Sequence, residues 1–330
     1  MRIIALEEHF SIPEMSARIS KDLAIARGFP AGFQDRVALQ LADTGEQRIA
    51  SMDAAGINMQ VLSVAGAGAD LLPIGESISF AMDYNDALAR IIDDHPDRYC
   101  GFAHLPMADG VAAAAELERT SHMPGFCGAL INGMTDNVFL DDSRFAPLLR
   151  KAEELHVPLY LHPSFPPPRV QELYYKGLAP GISAMLASAG FGWHVEVAIH
   201  VLRLYASGVF DEYPELQVII GHMGETLPFM MDRSERVLAK GLTKTERTLS
   251  ETLRSQVWIT TSGFFTMPPL EAAIATFGAE RILFSVDYPY SSNQQGVDFL
   301  EEMGLTLKQP VVEAIAHGNA ERLLKLPDLV

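Results

Sequence analysis

Short apolar runs and longer amphipathic stretches alternate along the whole chain. The runs predict strands at Ile3 to His9, Ile57 to Val64, Tyr99 to Leu105 and Cys127 to Ile131, then at Val157 to His162, Gln217 to His222, Val257 to Ser262 and Ile282 to Asp287. Most are almost continuously apolar rather than alternating, the pattern of parallel strands covered on both faces. Between them, apolar residues recur at helical spacing in Gln47 to Ala55, which closes on Gly56, and in Ser77 to Asp94, which stops before Pro96. Asp142 to Leu155 opens with N-cap chemistry, and Val195 to Ser207, Leu227 to Lys240, Leu249 to Arg254 and Leu270 to Phe277 continue the series.

Eight such strands with helices between them make a (β/α)8 barrel, and 330 residues leave room for insertions. A doubly wound open sheet shares the alternation, but no Gly-rich dinucleotide fingerprint follows the first strand. Two connections are long: Phe10 to Asp43 after the first strand, and Pro163 to Gly190, with its Pro166-Pro-Pro168 run, after the fifth. No linker, low-complexity tract or internal repeat divides the chain, so a single domain spanning 1–330 is expected.

Composition narrows the function. With 48% hydrophobic residues the chain can bury a large core, and no uninterrupted apolar run approaches the ~20 residues of a membrane span. The 42 Asp+Glu against 25 Lys+Arg leave a formal charge of −17, which repels phosphate backbones and anionic headgroups; neither nucleic acid nor membrane is expected as a partner. Cys100 and Cys127 sit in apolar stretches outside any CxxC pair and read as small buried hydrophobes. Acidic residues interrupt the N-terminal segment where a secretory signal would be apolar, so a cytoplasmic location is expected.

Barrel chemistry resides at the C-terminal ends of strands. Here those ends carry Glu7, His9, His162, His222 and Asp287. Glu7 and His9, two apart, share one face of a strand, while Glu8 between them faces the helices. Carboxylate and imidazole together suit one divalent ion, Zn²⁺ or Mn²⁺ foremost. His95, His122, His156, His200 and His317 fall on helices or their edges and read as structural. His104 and His194 stay open between a pocket wall and a packing role.

The segments Ala5-Leu-Glu-Glu-His-Phe10, Tyr160-Leu-His-Pro163, Ala206-Ser-Gly-Val-Phe-Asp211, Ile219-Ile-Gly-His-Met-Gly-Glu225, Ile259-Thr-Thr-Ser-Gly263, Arg281-Ile-Leu-Phe-Ser285 with Asp287, and Asn319-Ala-Glu-Arg-Leu323 together resemble the amidohydrolase superfamily. Within it the chain is similar to the metal-dependent, non-oxidative aromatic-acid decarboxylases typified by γ-resorcylate and 2,3-dihydroxybenzoate decarboxylase. The Glu-x-His opening is the specific mark, since most of the superfamily has His-x-His there. The resemblance implies that Glu7, His9, His162 and Asp287 hold one divalent metal, with His222 and Glu225 as catalytic partners of Asp287. It implies further that Arg233 holds polar groups of the substrate, with His194, Tyr288 and Tyr290 as candidate pocket residues, and that the protein forms homodimers or homotetramers. Where the family typically has Trp-Pro-Phe, this chain has Tyr288-Pro289-Tyr290, which leaves the ring pattern of the substrate open and leaves packing at the barrel mouth as an alternative role for both tyrosines.

The expected reaction is decarboxylation of an ortho-hydroxybenzoate, reversible in excess bicarbonate, with a protonated Asp287 delivering a proton to the ring carbon. The alternative is hydrolysis of a lactone, ester or amide, with Asp287 as general base on a metal-bound water. A barrel that binds without catalysing is disfavoured, because every expected ligand position is filled.

Overall fold

Parallel strands hydrogen-bond in chain order: β1 (Ile4–Phe10), β2 (Met59–Val64), β3 (Tyr99–His104), β4 (Phe126–Asn132), β5 (Leu159–His162), β6 (Val218–Ile220), β7 (Val257–Thr260) and β8 (Ile282–Leu283). The ring closes between the end of β8 and β1, where Leu6 bridges Ser285 and its N–H donates to the Phe284 carbonyl at 3.1 Å. This computed structural model describes residues 1–26, 29–30, 32 and 35–326. Helices cover the outside of the strands, so the architecture is the expected (β/α)8 barrel.

Side chains from alternate strand positions fill the cylinder, among them Ile4, Leu6, Val61, Phe102, Tyr160 and Trp258, and Cys100 and Cys127 belong to this inner layer as free, buried thiols. A second apolar layer, including Leu62, Ala103, Leu161, Ile220 and Phe284, joins the strands to the helices. Two layers of this kind explain why the strands read as continuous apolar runs.

Three differences from the sequence reading matter for the site. First, β6 and β8 stop short of His222 and Asp287. Both residues adopt positive φ (51° and 68°), leaving the ladder and turning into the barrel mouth. Second, β1 is bulged: Ala5 pairs Gln60 but Glu8 pairs Leu62, three steps against two. Glu7 sits in the bulge with φ 60°, so the inward phase shifts from Ile4 and Leu6 to Glu7 and His9. The expected shared face of Glu7 and His9 is thus produced by an irregularity rather than by plain alternation. Third, the helices that went unanticipated include Gly110–Ser121, Ala-rich and capped by Asp109, and Asn293–Thr306, begun by a Ser292/Gln295 capping box.

The β1 insertion folds as short helices, Pro13–Ser16, Lys21–Ala26 and Ala38–Ala42, while its positions 27–28, 31 and 33–34 lie outside the described residues. The β5 insertion forms Pro168–Tyr174 and Pro180–Ala187. Gly181–Ala206 is 26 residues long and contains an 18-residue window with the mean hydropathy (1.3) of a membrane-crossing segment, although no uninterrupted apolar run reaches that length. In the fold it is broken between Pro180–Ala187 and the helix Gly192–Ala206. That second helix buries His194, Val197, Val201 and Leu204 in the barrel.

Candidate active site

The strand ends converge on one centre. His9 Nε2 lies 3.4 Å from Asp287 Oδ1, His162 Nε2 lies 3.4 Å from Glu7 Oε1, and His222 Nε2 lies 3.5 Å from the same oxygen. Glu7 Oε1 and His9 Nε2 are buried without a hydrogen-bond partner. Ligands ~2.1 Å from a common ion at tetrahedral angles stand about 3.4 Å apart, so the orphaned atoms and the spacing both fit a divalent metal. Glu7, His9 and His162 form one group of buried ligand atoms on their own.

Each donor is anchored through its other atom. Glu7 Oε2 accepts from the hydroxyls of Tyr160 on β5 and Ser262, and from Thr260 on β7 at 3.3 Å. His9 Nδ1 pairs with Ser63 Oγ on β2 at 3.2 Å. Burial holds the His9 imidazole down to about 4 and that of His162 to about 3, so both are neutral and able to ligate. Such partners fix ring orientation and ligand basicity.

Beside this centre lies a hydrogen-bonded chain. His222 Nδ1 is 2.8 Å from Glu225 Oε1, and Glu225 Oε2 is 2.5 Å from His194 Nδ1. His194 Nε2 donates to the Ala189 carbonyl at 3.0 Å. Burial pulls His222 down, but the Glu225 and Glu7 carboxylates outweigh it and hold the imidazolium well above the ordinary range. Burial pushes Glu225 up, and His222 and His194 outweigh that in turn, leaving it low. Burial pushes Asp287 up to about 7 against the pull of His222 and His194. Its side chain is 18% exposed to the cavity, so solvent moderates that push. Glu7, His222, Met223, Glu225 and Asp287 all have positive φ, a concentration of backbone strain at one site.

A cavity of about 600 Å³ opens above the centre, with His9, His162, His222 and Asp287 at its floor. Phe29, Phe165 and Trp193 form one wall, their rings 5.3–5.5 Å apart in succession, and Tyr290 stands 5.7 Å from His9. Asn132, at the end of β4, lines the cavity with a buried Nδ2 that lacks a partner.

The amidohydrolase family model matches residues 35–326. The chain belongs to the amidohydrolase family. A decarboxylase of Emericella nidulans, orsB, is 38% identical over 98% of this chain and 97% of its own length. The gamma-resorcylate decarboxylase of Rhizobium sp. is 36% identical over 98% of both. A 2,6-dihydroxybenzoate decarboxylase solved with 2,6-dihydroxybenzoate superposes with TM-score 0.86 at 35% identity, covering 99% of this chain and 100% of that one. The dihydroxybenzoic acid decarboxylase of Polaromonas sp. JS666, solved with manganese and the inhibitor 2-nitroresorcinol, gives 0.88 at 33% identity, covering 98% and 97%.

Several positions in this amidohydrolase differ from the sequence expectation. Tyr288 does not line the cavity: its ring covers the buried Arg48 guanidinium at 4.7 Å, while Tyr290 faces inward. Arg233 is exposed on the outward stripe of the helix Leu227–Val237, with Phe229 and Val237, and lines no part of the cavity. His194 has both ring nitrogens engaged and holds Glu225 rather than offering a free group to substrate. His104 takes the packing role, accepting from the Ala69 N–H at 2.8 Å.

Other contributors carried no signal in the motifs. Glu8 faces outward as expected, yet it is buried, and its carboxylate accepts from the Val286 and Tyr288 amides at 2.8 and 3.1 Å. It thereby stitches β1 to the segment that carries Asp287. Arg48 donates to the His9 carbonyl at 2.7 Å from the helix Glu46–Ala55. Tyr160, Thr260, Ser262 and Asn132 complete the set; the first three stand inside quoted motifs but had no assigned role.

Proposed function

We propose that this amidohydrolase is a metal-dependent carboxy-lyase that releases CO2 from a hydroxylated aromatic acid such as an ortho-hydroxybenzoate. The carrying observation is the pair of orphaned ligand atoms, Glu7 Oε1 and His9 Nε2, aimed at one centre beneath an aromatic-walled cavity. The relatives reported above are decarboxylases by name, which favours this reading over hydrolysis.

Glu7, His9, His162 and Asp287 would hold the ion, Mn²⁺ or Zn²⁺. A divalent ion there supplies Lewis acidity toward oxygen groups of the substrate. Trp193, Phe165 and Tyr290 confine the ring, and the Asn132 amide offers a donor to a polar substituent. Asp287, whose carboxyl burial pushes above its ordinary range, transfers its proton to the ring carbon bearing the carboxylate. The bond to the carboxylate then breaks, its electron pair restores aromaticity, and neutral CO2 leaves. Asp287 is left as a carboxylate beside the His222 imidazolium, which Glu225 and His194 hold in place, and it regains its proton from water. Excess bicarbonate runs the sequence backwards.

Mn²⁺-loaded protein should release CO2 from a panel of ortho-hydroxybenzoates, and chelator-stripped protein should not. A panel left intact by the loaded protein refutes the reading.

We further propose self-association through the β5 insertion, where Leu173, Tyr174, Ile182, Met185 and Phe191 stand exposed, an apolar exposure unusual for a free surface. Light scattering that finds only monomer removes this. Two free, buried thiols suit a reducing compartment, and we propose the cytoplasm, which cell fractionation would test.

A further inference from the structure

The cavity is far larger than the ring it is proposed to receive. A benzene-sized ring fills ~150 Å³, so a carboxylated, hydroxylated ring occupies no more than about a third of the 600 Å³ present. The remainder is apolar and continuous with the metal end. The part of its lining formed by Val64 at the end of β2, Leu71, Phe80 and Tyr84 makes an apolar arm. Phe80 and Tyr84 present the buried face of the helix Ile74–Asp94, and Tyr84 packs 5.5 Å from Phe10 of β1. Ile19 and Val37 of the β1 insertion also line the cavity, as does the half-exposed Ile25. The charged lining residues, Lys21, Asp35 and Arg36, are solvent-exposed.

We infer that this enzyme is built for an ortho-hydroxybenzoate carrying an apolar substituent of several carbons, an alkyl chain that lies in the arm between Val64, Leu71 and Phe80. This rests on the carboxy-lyase reading and adds the substrate class. An apolar cavity extension that no side chain fills gains from a ligand that excludes its water, at about fourfold in binding per buried methylene.

The test uses Mn²⁺-loaded enzyme and two series of 2-hydroxybenzoates bearing hydrogen, methyl, propyl or pentyl at ring position 4 or 6. In one series kcat/KM should rise about two- to fourfold per added methylene. The matching alkylphenol products, titrated against Trp193 fluorescence, should bind more tightly in the same order. Ala67→Leu, which intrudes on the arm beside Leu71, should cut the pentyl-to-methyl ratio of kcat/KM about tenfold. Because the ratio is taken within one preparation, any loss of folded protein cancels. Turnover of the short members with flat or falling kcat/KM in both series overturns the inference and leaves the carboxy-lyase reading standing. No CO2 from any member overturns both.

Discussion

Replacing Tyr160 with phenylalanine isolates the anchoring of Glu7. The ring stays in the barrel interior, 5.8 Å from Phe102, so the substitution removes only the buried hydroxyl that donates to Glu7 Oε2. A hydrogen bond to a buried carboxylate is worth about 1.5–3 kcal/mol. Ser262 and Thr260 still hold that oxygen, which keeps the loss within this range. The remaining effect falls on the anionic, correctly rotated form of Glu7 that a cation requires. Metal affinity should therefore drop about 10- to 100-fold, the span typical of lost ligand anchors and equal to about 1.4–2.8 kcal/mol. Competition for Mn²⁺ against a chromophoric chelator measures it directly, with circular dichroism of the metal-free protein as the control for folding. An affinity within twofold of the parent refutes the anchoring role.

Other expectations follow from the same geometry. His194→Phe strips Glu225 of one partner, so kcat should fall about tenfold or more while Mn²⁺ content stays at the parent value; unchanged kcat at unchanged metal content contradicts the positioning role of His194 and Glu225. Burial holds His200 down to about 4 from its ordinary 6.5, so the unfolded chain takes up a proton that the native state refuses, and stability is lost as pH falls through this window. His200→Gln should therefore gain on the parent by about 2 kcal/mol in urea unfolding between pH 7 and pH 5, and a constant difference excludes the mechanism. Glu196 has the opposite sign. Burial pushes its carboxyl up to about 8 against the Met134 amide, so its stability contribution drains as pH rises from about 4.5 to 8. Glu196→Gln should gain on the parent by about 3 kcal/mol between pH 5 and pH 8.

Much of the fold was legible because burial on both faces leaves a simple mark, a continuous apolar run. The ends of β6 and β8 were not, because apolar character continues past the last ladder bond while a positive φ at His222 or Asp287 leaves no trace in composition. The candidate metal-ligating positions stood out as rare side chains at strand ends. Their anchors did not: the Thr260 hydroxyl meets Glu7 across 253 residues, and a threonine or serine in a strand has many uses. The two tyrosines flanking Pro289 looked equivalent in sequence, yet only Tyr290 turns into the cavity while Tyr288 covers Arg48. The site of Arg233 was inferred by likeness alone, and the outward face of its helix does not deliver it to the cavity of the same chain.

The central claim, that Glu7, His9, His162 and Asp287 assemble one ion site on which CO2 release depends, is tested by titrating Mn²⁺ into metal-free protein and following CO2 from an ortho-hydroxybenzoate. The rate should climb linearly and break at one ion per chain, with none before metal is added. Full release from metal-free protein, or a loaded protein that releases nothing across the panel, would contradict it.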